Sequence, residues 1–419
     1  MYAVIFHAIF MRKSLLDRVA RSAYIRNVET CFFKVVEKCD VGVYVSARSA
    51  AGEDDFEVFA VVIVFRVFRH TAILCNKRSE SCVFLRLEIC KKQCYNIVIM
   101  KKTLVSGDNR EFYMKTEKFK SFDGTILQCY LWDNVRNPKA VVQISHGMAE
   151  HARRYDDFAN YLNQNGFIVF ADDHRAHGMT STKQSAKGVK GYHKGNIYFD
   201  TVQDACAITA MLKERYNLPV IYLGHSYGSM LGQRYIEECK DYTGAVLCGS
   251  AMMKGAILNM GAAISNMQYK TLGGEKTGKL LDKLSFGSYN APFKKEKIQF
   301  AWLSRDKEQV KKYILDEQCG DVMSIAFFKF FLNGLKESYK KENLAKIDTA
   351  KPIAIFSGAQ DPVGGKGKLV EKLYDQYKTL GVKDLTVKLY PDARHEILNE
   401  INRAEVYADF VARMNEMLK

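Results

Sequence analysis

Tyr222-Leu223-Gly224-His225-Ser226-Tyr227-Gly228-Ser229 is the stretch on which the reading of this 419-residue chain turns. It contains Gly-x-Ser-x-Gly, a pattern that is weak by itself. Its setting strengthens it. The apolar run Pro219–Leu223 ahead of it has strand character, and Tyr227–Cys239 has helical spacing. A serine on so tight a strand-to-helix turn needs glycine on either side, because side chains there would collide. Such an elbow pushes the hydroxyl out above the sheet and sets it at a helix N-terminus, where developing negative charge is favoured. Ser226 is therefore the candidate nucleophile.

A serine hydroxyl needs a base, and the base needs an orienting carboxylate. In this kind of architecture the chain order is Ser, then Asp or Glu, then His. His395 is the single histidine after Ser226, which makes it the candidate base. Asp361 lies in Ser357-Gly358-Ala359-Gln360-Asp361-Pro362, just after the apolar run Ile353–Phe356. That is the C-terminal edge of a strand, where active-site groups gather in open α/β sheets. Asp392, three residues before His395, competes for the same role but reads better as a turn residue after Pro391. The oxyanion that forms on attack needs two N–H donors. Tyr227 supplies one as the residue after the nucleophile, and Met148 in Ser145-His146-Gly147-Met148 is the candidate for the other. His146 reads as a loop-shaping residue, and His151 is read with the same caution. A metal set at Asp172, Asp173, His174 and His177 lacks a second ligand cluster, so no metal is expected.

Outward from the elbow, strands alternate with helices. Phe112–Phe119 and Thr125–Trp132 read as an antiparallel pair joined at Asp123-Gly124. Ala140–Ser145, Phe167–Ala171, Ala245–Cys248, Ile353–Phe356 and Leu385–Leu389 are short apolar runs suited to strands buried on both faces. Helical spacing covers Glu150–Gln164, Asp200–Tyr216, about 367–380 and about 401–418. Strands spaced by helices imply crossover units and a mainly parallel sheet. Between about 251 and 351 the rhythm breaks into helical sequence, as expected of a cap inserted beside the site. Its apolar stretches Met252–Met267 and Ala326–Leu335 either pack on the core or line an acyl-chain tunnel.

Composition narrows the function. Hydrophobic residues make up 47% and charged residues 26%, which excludes disorder throughout. The net charge of +15 would suit nucleic acid or an anionic membrane, but the basic residues are scattered and no RNA-binding signature is present. No nucleic-acid partner is expected, while contact with an anionic lipid surface stays open. Eleven cysteines without paired spacing argue for reduced thiols in a cytoplasmic setting.

Residues 1–99 differ from the rest. All six prolines follow them, six of the eleven cysteines fall within them, and only Gly42 and Gly52 punctuate them. The opening run Met1–Met11 has Arg12 and Lys13 on the wrong side for a secretory signal. The apolar core Val58–Phe65 of the stretch Phe56–Phe68 is far short of the roughly 20 residues of a membrane span. The expectation is an N-terminal appendage or misassigned start, with the functional chain beginning near Met100; a genuine small domain is the alternative.

From about residue 112 to the end, five blocks in order carry a resemblance. They are His146-Gly147-Met148-Ala149-Glu150-His151 with Arg154-Tyr155, Asp173-His174-Arg175-Ala176-His177-Gly178, the Ser226 elbow, Gly358-Ala359-Gln360-Asp361-Pro362, and Ala393-Arg394-His395-Glu396 with Asn399-Glu400. Together they resemble the monoacylglycerol lipase and lysophospholipase branch of the α/β-hydrolases, grouped with the serine aminopeptidase S33 domain. The resemblance implies a helical cap between core strands six and seven and ester hydrolysis without a cofactor. Ala176 stands where the family usually has glycine, and Ser229 follows Gly228 where many members have another glycine. The expected substrate is a single-chain lipid ester, a monoacylglycerol or lysophospholipid. Rival readings are a prolyl-type aminopeptidase, a general carboxylesterase or thioesterase, and a catalytically dead binding module. Haloalkane and epoxide hydrolases use a carboxylate where this chain has Ser226.

Overall fold

The computed structural model describes the backbone of residues 42–47, 58–66, 69–76, 81–89 and 95–103, and the chain over 114–184 and 190–419. The chain divides into two units, Met1–Arg110 and Glu111–Lys419. In the first, β1 (Gly42–Ala47), β2 (Val58–Arg66), β3 (Arg69–Asn76), β4 (Ser81–Ile89) and β5 (Tyr95–Thr103) form an antiparallel meander in sequence order. The Phe56–Phe68 stretch thus contains a strand. Met100 lies inside β5, where it pairs with Phe84. The reading of Met1–Met11 lies outside the described residues.

The second unit is built on eight strands: β6 (Lys115–Lys120), β7 (Ile126–Trp132), β8 (Ala140–Ser145), β9 (Phe167–Asp172), β10 (Val220–His225), β11 (Gly244–Cys248), β12 (Ile353–Gly358) and β13 (Leu385–Tyr390). Their order across the sheet is β6-β7-β9-β8-β10-β11-β12-β13. β7 runs antiparallel to both neighbours, and all pairs from β9 to β13 are parallel. Every residue of β8 to β12 is buried, whereas the edge strands β6 and β13 are largely exposed or half-buried. Both faces of the inner strands are apolar, and alternate residues feed separate cores. Tyr222, Leu247, Ile353 and Ile355 join one cluster, while Ile221, Leu223, Val246, Ala354 and Phe356 join another. That period of two is the side-chain alternation of a strand, with helices required on each side.

Those helices are α1 (Asp156–Gln164), α2 (Gly178–Gln184), α3 (Ile197–Tyr216) and α4 (Tyr227–Glu238). Beyond β12 come α10 (Lys368–Thr379) and α11 (Arg403–Glu416). Phe158 and Leu162 of α1 and Phe410 and Met414 of α11 cover one face; Tyr235 of α4 and Val370 and Leu373 of α10 cover the other. α3 begins at Ile197, three residues ahead of the expected Asp200, because the Asn196 side chain accepts the Phe199 N–H at 3.2 Å and caps it.

Between β11 and β12 lies a mainly helical insertion of α5 (Ala256–Leu272), α6 (Lys279–Phe286), α7 (Lys307–Leu315), α8 (Ile325–Ser338) and α9 (Lys341–Leu344), with one antiparallel bridge between Thr277 and Ser324. Its two apolar stretches divide. Phe327, Phe328 and Phe331 of α8 are buried in the sheet-side core, whereas Ile257, Met260 and Met267 of α5 are exposed. Among the described residues, no helix is long and apolar enough to cross a membrane.

Candidate active site

Three strand ends bring the site together. β10 ends at His225 and α4 starts at Tyr227, so Ser226 makes the whole connection, with φ 52° and ψ −115°. A Cβ on Gly224 would fall 2.6 Å from the Gly228 carbonyl carbon and 2.8 Å from Ser229 Cα. A Cβ on Gly228 would meet the Ser145 carbonyl and lie 2.7 Å from that of His146. Both flanking glycines are therefore steric necessities, as the elbow pattern requires.

Asp361 follows β12, and His395 lies on the loop after β13. The Ser226 hydroxyl donates to His395 Nε2 at 2.7 Å, and His395 Nδ1–H donates to Asp361 Oδ2 at 2.9 Å. The second Asp361 oxygen accepts the Val363 N–H at 2.8 Å, which fixes the carboxylate's orientation. Asp361 and His395 are buried. The two loops are locked to each other at Gly358, where a Cβ would strike the carbonyls of Ala393 and Arg394. Asp392 is exposed at φ 58°, in the turn after Pro391.

The loop after β8 lies directly on the elbow. A Cβ on Gly147 would be 3.3 Å from Ser226 Cβ. Met148 follows Gly147 in this loop, and Tyr227 opens α4, where first-turn amides have no partner within the helix. His146 is fully buried and shapes this loop: its Nδ1–H donates to the Gly147 carbonyl at 2.7 Å, and its Nε2 accepts the His174 N–H at 3.0 Å. Burial and the neighbouring His174 and His177 hold its pKa well below the usual range, so the ring is neutral.

Asp172, Asp173, His174 and His177 do not converge on one point. Asp172 accepts from His174 at 2.8 Å; Asp173 accepts from the Ala152 and Met179 N–H groups and the Tyr130 hydroxyl; His177 donates to the Arg175 carbonyl at 3.0 Å. They tie the β9 loop to the β8 loop.

Sequence reasoning missed a buried charge network behind the Ser226–His395–Asp361 line. Glu150 accepts the Gly147 N–H at 2.6 Å, the Tyr155 hydroxyl at 2.9 Å, and a short hydrogen bond from Arg154. Arg154 also grips Glu396 with two hydrogen bonds of 2.8 and 2.7 Å. His225 Nδ1–H donates to Glu150 at 3.2 Å. Burial works to raise the Glu150 pKa, but the Arg154 charge and the His225 hydrogen bond overcome it and hold the carboxyl well below its usual range. Glu396 is lowered against burial by Arg154 in the same way. The network joins the Gly147 loop, the elbow and the residue after His395. Its signal was present only as adjacency: Glu150, Arg154 and Glu396 all sit inside blocks chosen for other residues. Trp302 of the insertion was missed as well; its ring lies 5.0 Å from that of His395.

Sheet order, elbow and converging loops define an α/β-hydrolase. The profile of the serine aminopeptidase S33 family matches residues 136–402, and the chain belongs to that family, as a carboxylic ester hydrolase. Monoglyceride lipase of Homo sapiens is 28% identical over 289 residues, spanning 67% of this chain and 86% of the human one. Monoacylglycerol lipase of Mycolicibacterium smegmatis is 28% identical over 299 residues, spanning 70% and 93%. Among solved structures, a thermostable carboxyl esterase from Bacillus coagulans, in complex with glycerol, is 27% identical with a TM-score of 0.67, over 73% of this chain and 99% of its own.

Proposed function

We propose that this protein is a serine hydrolase of single-chain lipid esters, monoacylglycerols first, acting through an acyl-enzyme on Ser226. The observation that carries the proposal is the continuous hydrogen-bonded line from the Ser226 hydroxyl through His395 to Asp361. His395 Nε2 takes the hydroxyl proton as Ser226 Oγ attacks the ester carbonyl carbon. The Met148 and Tyr227 N–H groups hold the oxyanion, a contribution of about 3–4 kcal/mol for each such donor. The intermediate collapses, His395 returns its proton to the leaving glycerol oxygen, and the acyl group stays on Ser226. Water, deprotonated by His395, then releases the fatty acid. Asp361 keeps the imidazole in the tautomer that presents a bare Nε2 to the serine.

A lipid acyl chain is favoured by the company of the oxyanion residues. Met148 is half-buried against the same apolar cluster as Phe327 and Phe331, and the Tyr227 ring lies 5.0 and 5.3 Å from those two rings. The named relatives support glycerol as the alcohol. The family description names an aminopeptidase, so a prolyl-type amide is the reading to test against; a lysophospholipid remains within the lipid reading. Free thiols at Cys129, Cys206, Cys239, Cys248 and Cys319 support a reducing, cytoplasmic setting.

The test is to incubate the full chain separately with a monoacylglycerol, a lysophosphatidylcholine and a prolyl-amide, using Ser226→Ala as the blank. The expected result is fatty acid release from monoacylglycerol that falls by at least about a thousandfold in the variant. Cleavage of the amide alone would overturn the lipase reading and keep the nucleophile.

A further inference from the structure

Outside the triad, one cluster of metal-capable side chains stands where the helical insertion meets the loop carrying Met148. His151 is 3% exposed. Its Nε2–H donates to Asp316 Oδ2 at 2.9 Å, and its Nδ1 is buried with no hydrogen-bond partner. Asp316, just after α7, is already oriented, because its other oxygen accepts the Gln318 N–H at 2.9 Å. Cys319, a half-buried free thiol, closes the same turn with its N–H on the Asp316 carbonyl at 3.0 Å. One ligand atom from each of the three residues lies within 4.8 Å of the other two, and among the described residues this is the one such group. The surroundings leave it free to act. The buried Arg154, which acts on Cys319, is already held by Glu150 and Glu396.

We propose that His151, Asp316 and Cys319 bind a thiophilic divalent cation of the Zn2+ class. Imidazole, carboxylate and thiolate together suit zinc, whereas magnesium and calcium take oxygen ligands. Ligands at about 2.0–2.3 Å in a tetrahedron stand about 3.3–3.6 Å apart, so closure asks for movements of about an ångström. On binding, the Cys319 thiol and, if Nε2 is the ligand, His151 release their protons to solvent, and water completes the fourth position. A buried ring nitrogen without a partner is costly where nothing binds near it.

The consequence is mechanical. The Gly320 N–H donates to the Ala149 carbonyl at 2.9 Å, and the Tyr313 hydroxyl donates to the same oxygen at 3.1 Å. An ion across His151 and the 316–319 turn adds a stronger tie between the insertion and the segment that follows Met148. Metal occupancy would thereby fix the insertion on the rim of the site.

The test uses the full chain, stripped of metal by chelation and titrated with Co2+ and then with Zn2+. The expected result is a thiolate-to-cobalt charge-transfer band that grows to one equivalent, is bleached by Zn2+, and is lost in Cys319→Ser. Asp316→Asn should keep the band while weakening cobalt binding at least about tenfold. Unchanged esterase activity of metal-free Cys319→Ser shows that the variant is folded. Absence of the band in the parent chain, or its survival in Cys319→Ser, would overturn the proposal.

Discussion

Ser226 holds a backbone conformation that L-residues avoid, at a cost of order 1–3 kcal/mol. Its neighbours keep it there. The Ser226 N–H donates to the Cys248 carbonyl at 2.9 Å, and its own carbonyl accepts the Ser229 and Met230 N–H groups at 2.9 and 3.0 Å and the Ser229 hydroxyl at 2.6 Å. The serine that departs from the family's usual glycine is thus a clasp on the elbow. Gly228→Ala should force the Ser145 loop away and lower kcat by at least about a hundredfold, measured on whichever ester the parent chain cleaves. Ala176, the other departure, has φ 61° and is buried. Its strain explains why glycine is usual there. Ala176→Gly should therefore stabilise the protein by about 0.5–1 kcal/mol in urea unfolding, and a loss of stability would contradict the strain argument. Ser226, Asp361 and His395 were legible as candidates because chemistry restricts such groups to few residue types in a fixed order, and the fold brings the three into one hydrogen-bonded line. Glu150, Arg154 and Glu396 were not, because a charged residue in sequence reads first as surface.

Elements whose sequence carries one strong period were legible too. The inner strands show as uninterrupted apolar runs since both faces are covered, and α1, α4, α10 and α11 show at helical spacing. The start of α3 was not legible: Ile197-Tyr198-Phe199 carries no polar spacing, and its helix is set by the Asn196 cap. The Gly147 loop is held by ion pairs instead of by periodicity. Arg154→Ala would strand Glu150 and Glu396 as buried charges, with an expected loss of about 3–5 kcal/mol in chemical denaturation. A pH dependence follows from the histidines of this loop pair. Burial, against the help of the Arg175 carbonyl, lowers His177 to about 4, and His146 is lowered as well. Unfolded histidines take up protons below about 6.5 while these two stay neutral in the fold, so their contribution to stability is lost as pH falls from about 6.5 towards 4. Against burial, Asp172 raises His174 and Glu150 raises His225, so these two contribute stability as pH falls through about 6.5 and oppose the trend. The effect of the neutral rings is therefore read by difference: His177→Gln should remove part of the loss of unfolding free energy between pH 7 and 5, and an unchanged profile in the variant would contradict the burial of a neutral ring.

The whole chain is two units, and the candidate site, Ser226, Asp361 and His395, lies entirely in Glu111–Lys419. The composition break near residue 99 and the meander β1–β5 concern the other unit. We propose that residues 100–419 suffice for hydrolysis; that chain should be soluble and active, and an insoluble or inactive product would make the N-terminal unit part of the enzyme. The insertion was visible as a break in rhythm, but the division of its apolar residues was not. Which side of α5 or α8 meets the core depends on the sheet beneath it, and that lies far away in sequence.

The most direct test is to quench the full chain during turnover of a slowly deacylating fatty acyl ester and map the acyl group by peptide mass spectrometry. The expected adduct is one acyl group on the peptide containing Ser226, absent in Ser226→Ala. Turnover with the acyl group on another residue, or with none on Ser226 at any time point, would contradict a serine acyl-enzyme.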